Sequence, residues 1–230
     1  MHRMTRPDHL PPPRWRMLTE GMSVGARAWR AVGPLGERGP EDGPRAMVLP
    51  GFLATDRTTL GLQRALAGAG YRVTGWGMGL NRGARADSID RIADRLERHA
   101  AGSPALLVGW SLGGLFAREV AKARPDLVDR VVTLGSPFSG DLRANNVWRL
   151  YEAIARHSID TLPIQADLPA KPPVPTLAIW SRRDGVVAPL SARGQDGERD
   201  DAVELDCTHM GFATSGRAFP KIIAAIEARR

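Results

Sequence analysis

The sequence predicts an α/β protein built on a mostly parallel, doubly wound sheet with helices on both faces. Continuous apolar runs, such as 105–108 and 176–180, are typical of strands buried on both faces of a parallel sheet. Stretches with helical periodicity separate these runs, which favours repeated strand–helix–strand units. With 230 residues, the chain is long enough for one such domain with a substantial core.

The predicted strands are short and mostly apolar. They lie at 47–49, 71–76, 105–108, 129–135, 176–180 and 202–208, the last of which alternates apolar with polar residues. Ligands of such sheets bind beyond the carboxyl ends of the strands, so the residues that follow each run are candidates for a site.

Helices are predicted at 58–69, 88–101 and 115–121, and a loop at 210–212 leads into a last helix. In the second of these, Ile89, Ile92 and Leu96 share one face and charged residues occupy the other. This helix is therefore expected to cover the sheet with one face and to meet water with the other.

The motif Gly109-Trp110-Ser111-Leu112-Gly113 joins a predicted strand to a predicted helix. A sharp turn at Ser111 would strain the backbone and leave little room for side chains two residues away, which explains glycine at both positions. The turn exposes the Ser111 hydroxyl, and the Leu112 amide points into the same space from the first turn of the helix. A simpler interpretation is a glycine-rich turn whose serine caps the helix.

This segment resembles the nucleophile elbow of the α/β-hydrolase family, as found in esterases and lipases. The resemblance implies one α/β-hydrolase domain at 45–230, preceded by an N-terminal arm at 1–44. It also implies a cap inserted after the fourth strand, at about 138–174. Within this cap, 146–156 has one apolar helical face, while 162–175 is rich in proline and is not expected to be regular.

A serine hydroxyl needs a base, and His209 is the candidate among the five histidines. It follows the predicted strand at 202–208, where the resemblance places the base. The other histidines lie in the N-terminal segment, near the end of a charged helix, or in the cap: His2, His9, His99 and His157. The chemistry therefore assigns proton transfer to His209, although a single histidine is more often a surface or core residue.

The family order of serine, acid and histidine implies an acid between Ser111 and His209. Asp184 follows the buried run at 176–180 and is the predicted acid, although Asp-Gly is also an ordinary turn. Asp160 and Asp206 are rivals. The first lies in the cap, and the second lies on the predicted strand itself, three residues before the histidine.

The loop after the first strand is expected to supply a second amide that stabilises the oxyanion, beside that of Leu112. Many relatives carry His-Gly here, whereas this chain has Pro50-Gly51. The second donor is therefore predicted as Phe52, with Leu53 as the alternative. The same stretch could instead be a proline-glycine turn without a catalytic role.

Five residues near these positions are predicted to line a substrate pocket: Leu53, Trp110, Trp148, Tyr151 and Met210. For Trp148 and Tyr151, ordinary packing against the domain is the competing interpretation.

The N-terminal arm carries apolar residues at helical spacing, flanked by arginines: Trp15, Leu18, Met22 and Trp29. Two interpretations stay open. The arm could lie on an anionic membrane or guard the pocket, or it could pack its tryptophans on the domain. Gly21 and Gly25 weaken a helix, which favours packing.

The composition narrows the remaining possibilities. The net charge of +7 is spread along the chain among acidic residues, so no nucleic-acid partner is predicted. Cys207 is the only cysteine, which excludes an internal disulfide. No signal-peptide or membrane-spanning run is found, and a cytoplasmic location is expected. Serine, imidazole and amides suffice for the chemistry, so no cofactor or metal is expected, and the oligomeric state stays open.

The sequence thus predicts a serine hydrolase that cleaves small-molecule or lipid-like carboxylic esters through an acyl-serine. The same residues would serve an acyltransferase, a thioesterase or an amidase. An alternative from another class is a hydrolase-like binding module without catalysis. Because neutral His209 would be the base, activity is expected to fall as the pH drops through its pKa.

Overall fold

The computed structural model describes residues 10–13, 15–16, 20, 34–141, 143–155, 158, 161, 163–164 and 166–229. In this part of the chain a six-stranded sheet has the order β2-β1-β3-β4-β5-β6, and all neighbours are parallel. The strands are β1 (Arg45–Leu49), β2 (Arg72–Gly75), β3 (Ala105–Trp110), β4 (Val128–Leu134), β5 (Thr176–Trp180) and β6 (Asp201–Glu204). The predicted α/β architecture is confirmed.

Helices cover both faces of the sheet. They are α1 (Leu60–Gly68), α2 (Ser88–Ala100), α3 (Leu112–Ala123), α4 (Trp148–Ala155), α5 (Pro189–Arg193), α6 (His209–Thr214) and α7 (Phe219–Glu227), with a 3₁₀ turn at Pro125–Leu127. On one face, Leu62 of α1 and Ile222 of α7 pack against Val48 of β1. On the other face, Met47 belongs to a core with α2 and α3. Alternate residues of a buried strand thus serve two cores, which explains its continuous apolar sequence.

The strand order reverses between β1 and β3. From β1 the chain first adds β2 on one side and then continues with β3 to β6 on the other. Open parallel sheets bind ligands at such a reversal, beyond the carboxyl ends of the strands. The loop after β1 and the turn after β3 therefore meet at the place where a ligand site is expected.

The chain around His209 differs from the prediction. The last strand ends at Glu204 rather than at 208, and residues 210–212, predicted as a loop, belong to the short helix α6, which begins at His209. The cause is local: the Thr208 side chain accepts a hydrogen bond from the Gly211 amide at 3.1 Å and caps the helix. Helix α5 was also missed, because a five-residue helix leaves little periodicity to detect.

The segment predicted as a cap, for which that name is kept, contains helix α4 and irregular stretches, as far as the structure describes 138–174. Its returning segment is fixed by Arg118 of α3, a buried side chain that donates to the carbonyls of Leu168, Pro169 and Ala170 at 3.1–3.3 Å. Burial lowers the pKa of this guanidinium to about 10, and nearby glutamates partly oppose the shift. Arg118 therefore stays charged and ties the cap to the helix that follows Ser111.

The described residues of the N-terminal arm contact the domain through polar groups. Trp15, predicted to pack against the domain, is 61% exposed, and the Arg16 guanidinium lies 5.5 Å from its ring centroid. Leu18, Met22 and Trp29 lie outside the described residues. The buried residue of this segment is Glu20. Farther along the chain, the backbone of Arg38 forms an isolated antiparallel bridge with Val73 of β2. The division of the chain at residue 44 stays a prediction.

Candidate active site

Ser111 lies at the turn between β3 and α3, with φ 55° and ψ −122°. A positive φ is unusual for a residue with a side chain, and such strain often marks a functional turn. The Ser111 amide donates to the Leu134 carbonyl at 2.9 Å, which fixes the turn to β4. The side chain is half-buried at the mouth of a pocket.

The predicted glycines have a direct steric reason. A Cβ on Gly109 would lie 2.3 Å from the Gly113 carbonyl oxygen, and a Cβ on Gly113 would lie 2.2 Å from the Leu49 carbonyl oxygen. Both obstacles are backbone atoms, which cannot rotate away. Gly114, which the sequence did not single out, is also crowded: its Cβ would lie 2.0 Å from the Ser136 hydroxyl oxygen and 3.0 Å from the Gly109 carbonyl oxygen.

We expect Gly113→Ala to lower the free energy of unfolding by about 1–3 kcal/mol or more, because the new methyl group pushes β1 and α3 apart. Urea unfolding followed by circular dichroism would measure this. Gly68→Ala is the matched control, because a Cβ there meets nothing within 4 Å and the residue is helical. Equal stability of the two variants would contradict the steric argument.

His209 and Asp184 form a buried pair. The imidazole Nδ1 lies 2.7 Å from Asp184 Oδ2, and the two residues are 4% and 1% exposed. The second carboxylate oxygen accepts from the amides of Val186 and Val187 at 2.8 Å. Asp184 is therefore held as an acceptor toward Nδ1, which favours the tautomer with a free Nε2.

The histidine also contacts the serine turn. Its ring centroid lies 5.5 Å from that of Trp110, the residue before Ser111, and the Trp110 indole donates to the His209 carbonyl at 3.0 Å. The three predicted residues are thus held at the carboxyl ends of β3, β5 and β6.

The pKa of His209 is raised. Burial alone would lower it, but the Asp184 charge, its hydrogen bond and the charge of Glu20 together outweigh burial. The protonated imidazole is therefore the better stabilised form in the folded protein, as a proton acceptor in catalysis requires.

The rivals lie in different surroundings. Asp206 is exposed and pairs with Arg183 at 3.1 Å. His99 contacts Glu37 at 2.6 Å near the start of β2, at the opposite end of the sheet. Asp160, His2, His9 and His157 lie outside the described residues.

Cys207 is half-buried, and its thiol is not activated. Burial, followed by the charges of Asp184, Glu20 and Asp206, raises its pKa to about 12. The thiol therefore stays protonated at neutral pH and is a poor nucleophile.

The loop after β1 distinguishes the two candidate amides. The Leu53 amide donates to the Asn81 carbonyl at 2.7 Å, and Leu53 has φ 55°. Because the Leu53 amide already donates to a carbonyl, it is not free to donate to an oxyanion. The Phe52 amide has no acceptor among the described residues, and Phe52 lines the same pocket as Ser111 and Leu112. The geometry favours Phe52 over Leu53 as the second donor.

Asn81 organises this loop and was missed by the sequence analysis. The side chain is fully buried, donates to the Pro50 carbonyl at 2.8 Å and accepts from the Gly83 amide at 3.2 Å. The backbone carbonyl of Asn81 accepts the hydrogen bond from the Leu53 amide. The only signal in the sequence was a polar residue within the glycine-rich stretch 75–83.

An apolar pocket opens beside Ser111 and encloses about 690 Å³, its open mouth included. Its walls come from the serine turn, the loop after β1, α3 and the cap: Phe52, Ala84, Ser111, Leu112, Leu115, Phe116, Pro137, Asn145, Val147, Trp148, Tyr151, Ile164, Leu168 and Val187.

Of the residues predicted for this pocket, Trp148 and Tyr151 belong to its lining. The Tyr151 ring packs against Phe52 at a tilt of 54° with ring centroids 5.1 Å apart, and its hydroxyl accepts from the Ala84 amide at 3.1 Å. The other three lie outside the lining. Leu53 is 41% exposed, Trp110 points into the core between the sheet and α7, and Met210 is half-buried beside Glu20.

Within the described part of the chain, no helix is long and apolar enough to cross a membrane. No three His, Cys, Asp or Glu side chains there are grouped as a metal site would require.

Comparison with known proteins identifies the fold. A family model described as the alpha/beta hydrolase fold matches residues 47–157. The biotin biosynthesis bifunctional protein BioHC of Teredinibacter turnerae is 35% identical over 60 residues, and this match spans 26% of the chain but only 10% of that protein.

Two solved structures are similar over most of the chain. The thioesterase domain from the curacin biosynthetic pathway has a TM-score of 0.56 at 17% identity, covering 82% of this chain and 93% of that one. Naproxen esterase (carboxylesterase NP) from Bacillus subtilis has a TM-score of 0.58 at 13% identity, covering 88% and 98%. At these identities the likeness concerns the fold.

Proposed function

Because this chain is an α/β-hydrolase-fold protein, we propose that it is a serine hydrolase that cleaves carboxylic esters through an acyl-serine intermediate. The observation that carries the proposal is the buried Asp184–His209 pair, joined at 2.7 Å beside the strained turn of Ser111. A nucleophile, a base and an acid that orients the base are what acyl transfer through serine requires.

In the first half of the proposed reaction, Ser111 Oγ attacks the ester carbonyl carbon while its proton passes to Nε2 of His209. The carbonyl oxygen becomes an oxyanion, which the amides of Leu112 and Phe52 stabilise. The bond to the leaving oxygen then breaks, and the alcohol departs with the proton from His209. Asp184 keeps Nδ1 protonated and stabilises the imidazolium throughout.

In the second half, water attacks the acyl-serine. His209 takes one proton from the water, the new carbon–oxygen bond forms, and the bond to Ser111 Oγ breaks as the serine recovers a proton. The products are a carboxylic acid and an alcohol, and the enzyme returns to its initial state. No other reactant is needed.

The lining of the pocket supports an apolar acyl group, on a small-molecule or lipid-like ester. Apart from Ser111, polar side-chain atoms among the lining residues come from Asn145, the Tyr151 hydroxyl and the Trp148 indole nitrogen. An acyltransferase, a thioesterase or an amidase would use the same acyl-enzyme and differ in the leaving group or acceptor. A thioesterase domain is among the similar structures, so thioesters belong in the first substrate panel.

A fluorophosphonate probe tests the proposal, because it reacts covalently with an activated serine and mimics the tetrahedral intermediate. Peptide mass spectrometry of the labelled protein should find the adduct on Ser111, and Ser111→Ala should abolish it. A protein that stays unlabelled, and hydrolyses none of the esters or thioesters, would support the binding-module alternative.

We predict that kcat/KM falls on the acid side with a midpoint above 6.5, the ordinary pKa of histidine, because His209 must be neutral to accept the proton and its pKa is raised. Initial rates from about pH 5 to 9 would locate this midpoint. A rate that is flat across that range would contradict His209 as the base.

The same shift affects stability. The folded protein binds the His209 proton more tightly than the unfolded chain. Protonation therefore stabilises the fold below the ordinary histidine pKa, and this contribution is lost as the pH rises through the raised pKa. Stability and activity should thus change in opposite directions across this interval.

A further inference from the structure

Glu20 is a buried carboxylate that belongs to the N-terminal segment yet contacts the proposed active site. It is 5% exposed. Its Oε1 accepts hydrogen bonds from the amides of His209 at 2.8 Å and Gly185 at 3.1 Å, and its Oε2 accepts from the amide of Met210 at 2.9 Å.

This carboxylate joins two segments of the backbone: Oε1 accepts from both, and Oε2 accepts from the second one alone. Gly185 directly follows Asp184 in the loop after β5, whereas His209 and Met210 begin α6 after β6. The hydrogen bond between Asp184 and His209 therefore spans two separate loops. Glu20 accepts from the backbone of both loops, at His209 itself and at Gly185, the residue after Asp184.

Neighbouring residues of the N-terminal segment support the same loop. The Arg16 guanidinium donates to the Arg182 carbonyl at 2.7 Å, and a Cβ on Gly185 would lie 2.9 Å from the Arg16 backbone. The side-chain amide of Asn146 donates through Nδ2 both to the Pro12 carbonyl at 2.8 Å and to the Gly185 carbonyl at 2.9 Å. Residues 12–20, where described, thus pack over the loop that carries Asp184.

A bond to the first amides of α6 could be simple helix capping. Capping explains the contacts to His209 and Met210, but it explains neither the third contact, to Gly185, nor the burial. Burying a carboxylate is unfavourable unless several donors satisfy it, and here the donors come from both loops. The arrangement is the one expected of a clamp between them.

We propose that Glu20 is a positioning residue, which holds the Asp184 loop and the start of α6 together so that the imidazole of His209 keeps its orientation toward Ser111. This proposal rests on the proposed hydrolase function. It makes the N-terminal segment a functional part of the active site rather than an appended arm.

The charge of Glu20 supplies a second, separable effect. The charged groups that act on the His209 imidazole are Asp184, from the loop after β5, and Glu20, from the N-terminal segment, and both raise its pKa against burial. Removing the Glu20 charge should therefore move the acid limb of the rate profile to lower pH. A residue that merely stabilised the fold would leave this limb in place.

The test compares Glu20→Ala and Glu20→Gln with wild type in the full chain, with Glu119→Gln as the matched control. Glu119 is also a buried glutamate, but it pairs with Lys122 on α3, away from His209. Nitrophenyl ester hydrolysis gives kcat, KM and the pH profile, and the fluorophosphonate labelling rate reports on the Ser111 nucleophile.

We expect Glu20→Ala to lower kcat about 10- to 100-fold with KM within about twofold, since small misplacements of a catalytic group have effects of this size. Glu20→Gln keeps one acceptor oxygen, so it should lose less kcat while still moving the acid limb to lower pH. Glu119→Gln should keep the wild-type kcat, and the acid limb of its pH profile should stay at the wild-type pH.

Unchanged kcat in Glu20→Ala, or an acid limb that stays at the wild-type pH in both Glu20 variants, would overturn the proposal. If Glu20→Ala does not fold, Glu20→Gln decides: a wild-type kcat in this variant would overturn the proposal, whereas a lowered kcat together with an acid limb at lower pH would support it. A wild-type protein that neither hydrolyses the esters nor reacts with the probe would instead refute the proposed function, so the two failures are distinguishable.

Discussion

Ser111→Ala is expected to lower kcat/KM for ester hydrolysis by on the order of 10⁴-fold or more, because Ser111 supplies the oxygen that forms the acyl intermediate. The oxyanion amides and the pocket remain, so weak substrate binding should persist. Rates on a series of nitrophenyl esters with increasing acyl length would measure the loss and, in wild type, the length that the pocket accepts.

Ser136→Ala is the control for this experiment. Ser136 also lies at the carboxyl end of the sheet, is fully buried, and its hydroxyl has no hydrogen-bond partner within the described residues. Its variant should retain wild-type hydrolysis and an unchanged circular dichroism spectrum. Comparable activity of Ser111→Ala and wild type would exclude Ser111 as the nucleophile.

The strands and long helices could be predicted because their signal is local. A strand buried on both faces, such as β5, must be apolar throughout, and its predicted bounds agree with those observed. The start of α6 could not be predicted in this way. It depends on the Thr208 cap within a six-residue helix, too short for a periodic pattern.

The part of the site that could be predicted consists of side chains whose chemical type suits them to acyl transfer. Ser111, Asp184 and His209 follow strands, and the sheet brings them to one edge. Glu20 gave no signal, since it lies 189 positions before His209 and only burial shows its role. The choice between Phe52 and Leu53 likewise depended on a contact, that of the Leu53 amide with Asn81.

Proximity in the sequence was a poor guide to the pocket. Trp110 was predicted as a wall because it adjoins Ser111, but it is the last residue of β3 and its side chain belongs to the core with Phe212 of α6. Successive side chains of a strand point to opposite faces, so a neighbour of the nucleophile need not share its cavity. Ala84 and Leu168 line the pocket from distant loops.

Asp184→Asn should lower kcat by about 10⁴-fold, since an amide can replace the carboxylate in size but not in its effect on the tautomer. The remaining oxygen can still accept from Val186 and Val187, so the new amide group would face Nδ1 of His209 and donate to it. Nδ1 then becomes an acceptor, the proton moves to Nε2, and the imidazole can no longer take the serine proton. Steady-state hydrolysis would measure the loss.

Asp206→Asn separates this role from a general effect of removing negative charge near the histidine. Asp206 was the rival acid, and its carboxylate is exposed and paired with Arg183. Its variant should keep kcat within about twofold of wild type, because an exposed ion pair contributes little. A large loss in Asp206→Asn with full activity in Asp184→Asn would reverse the assignment. The tautomer argument also predicts that Asp184→Asn still folds, since the backbone contacts of residue 184 survive the substitution.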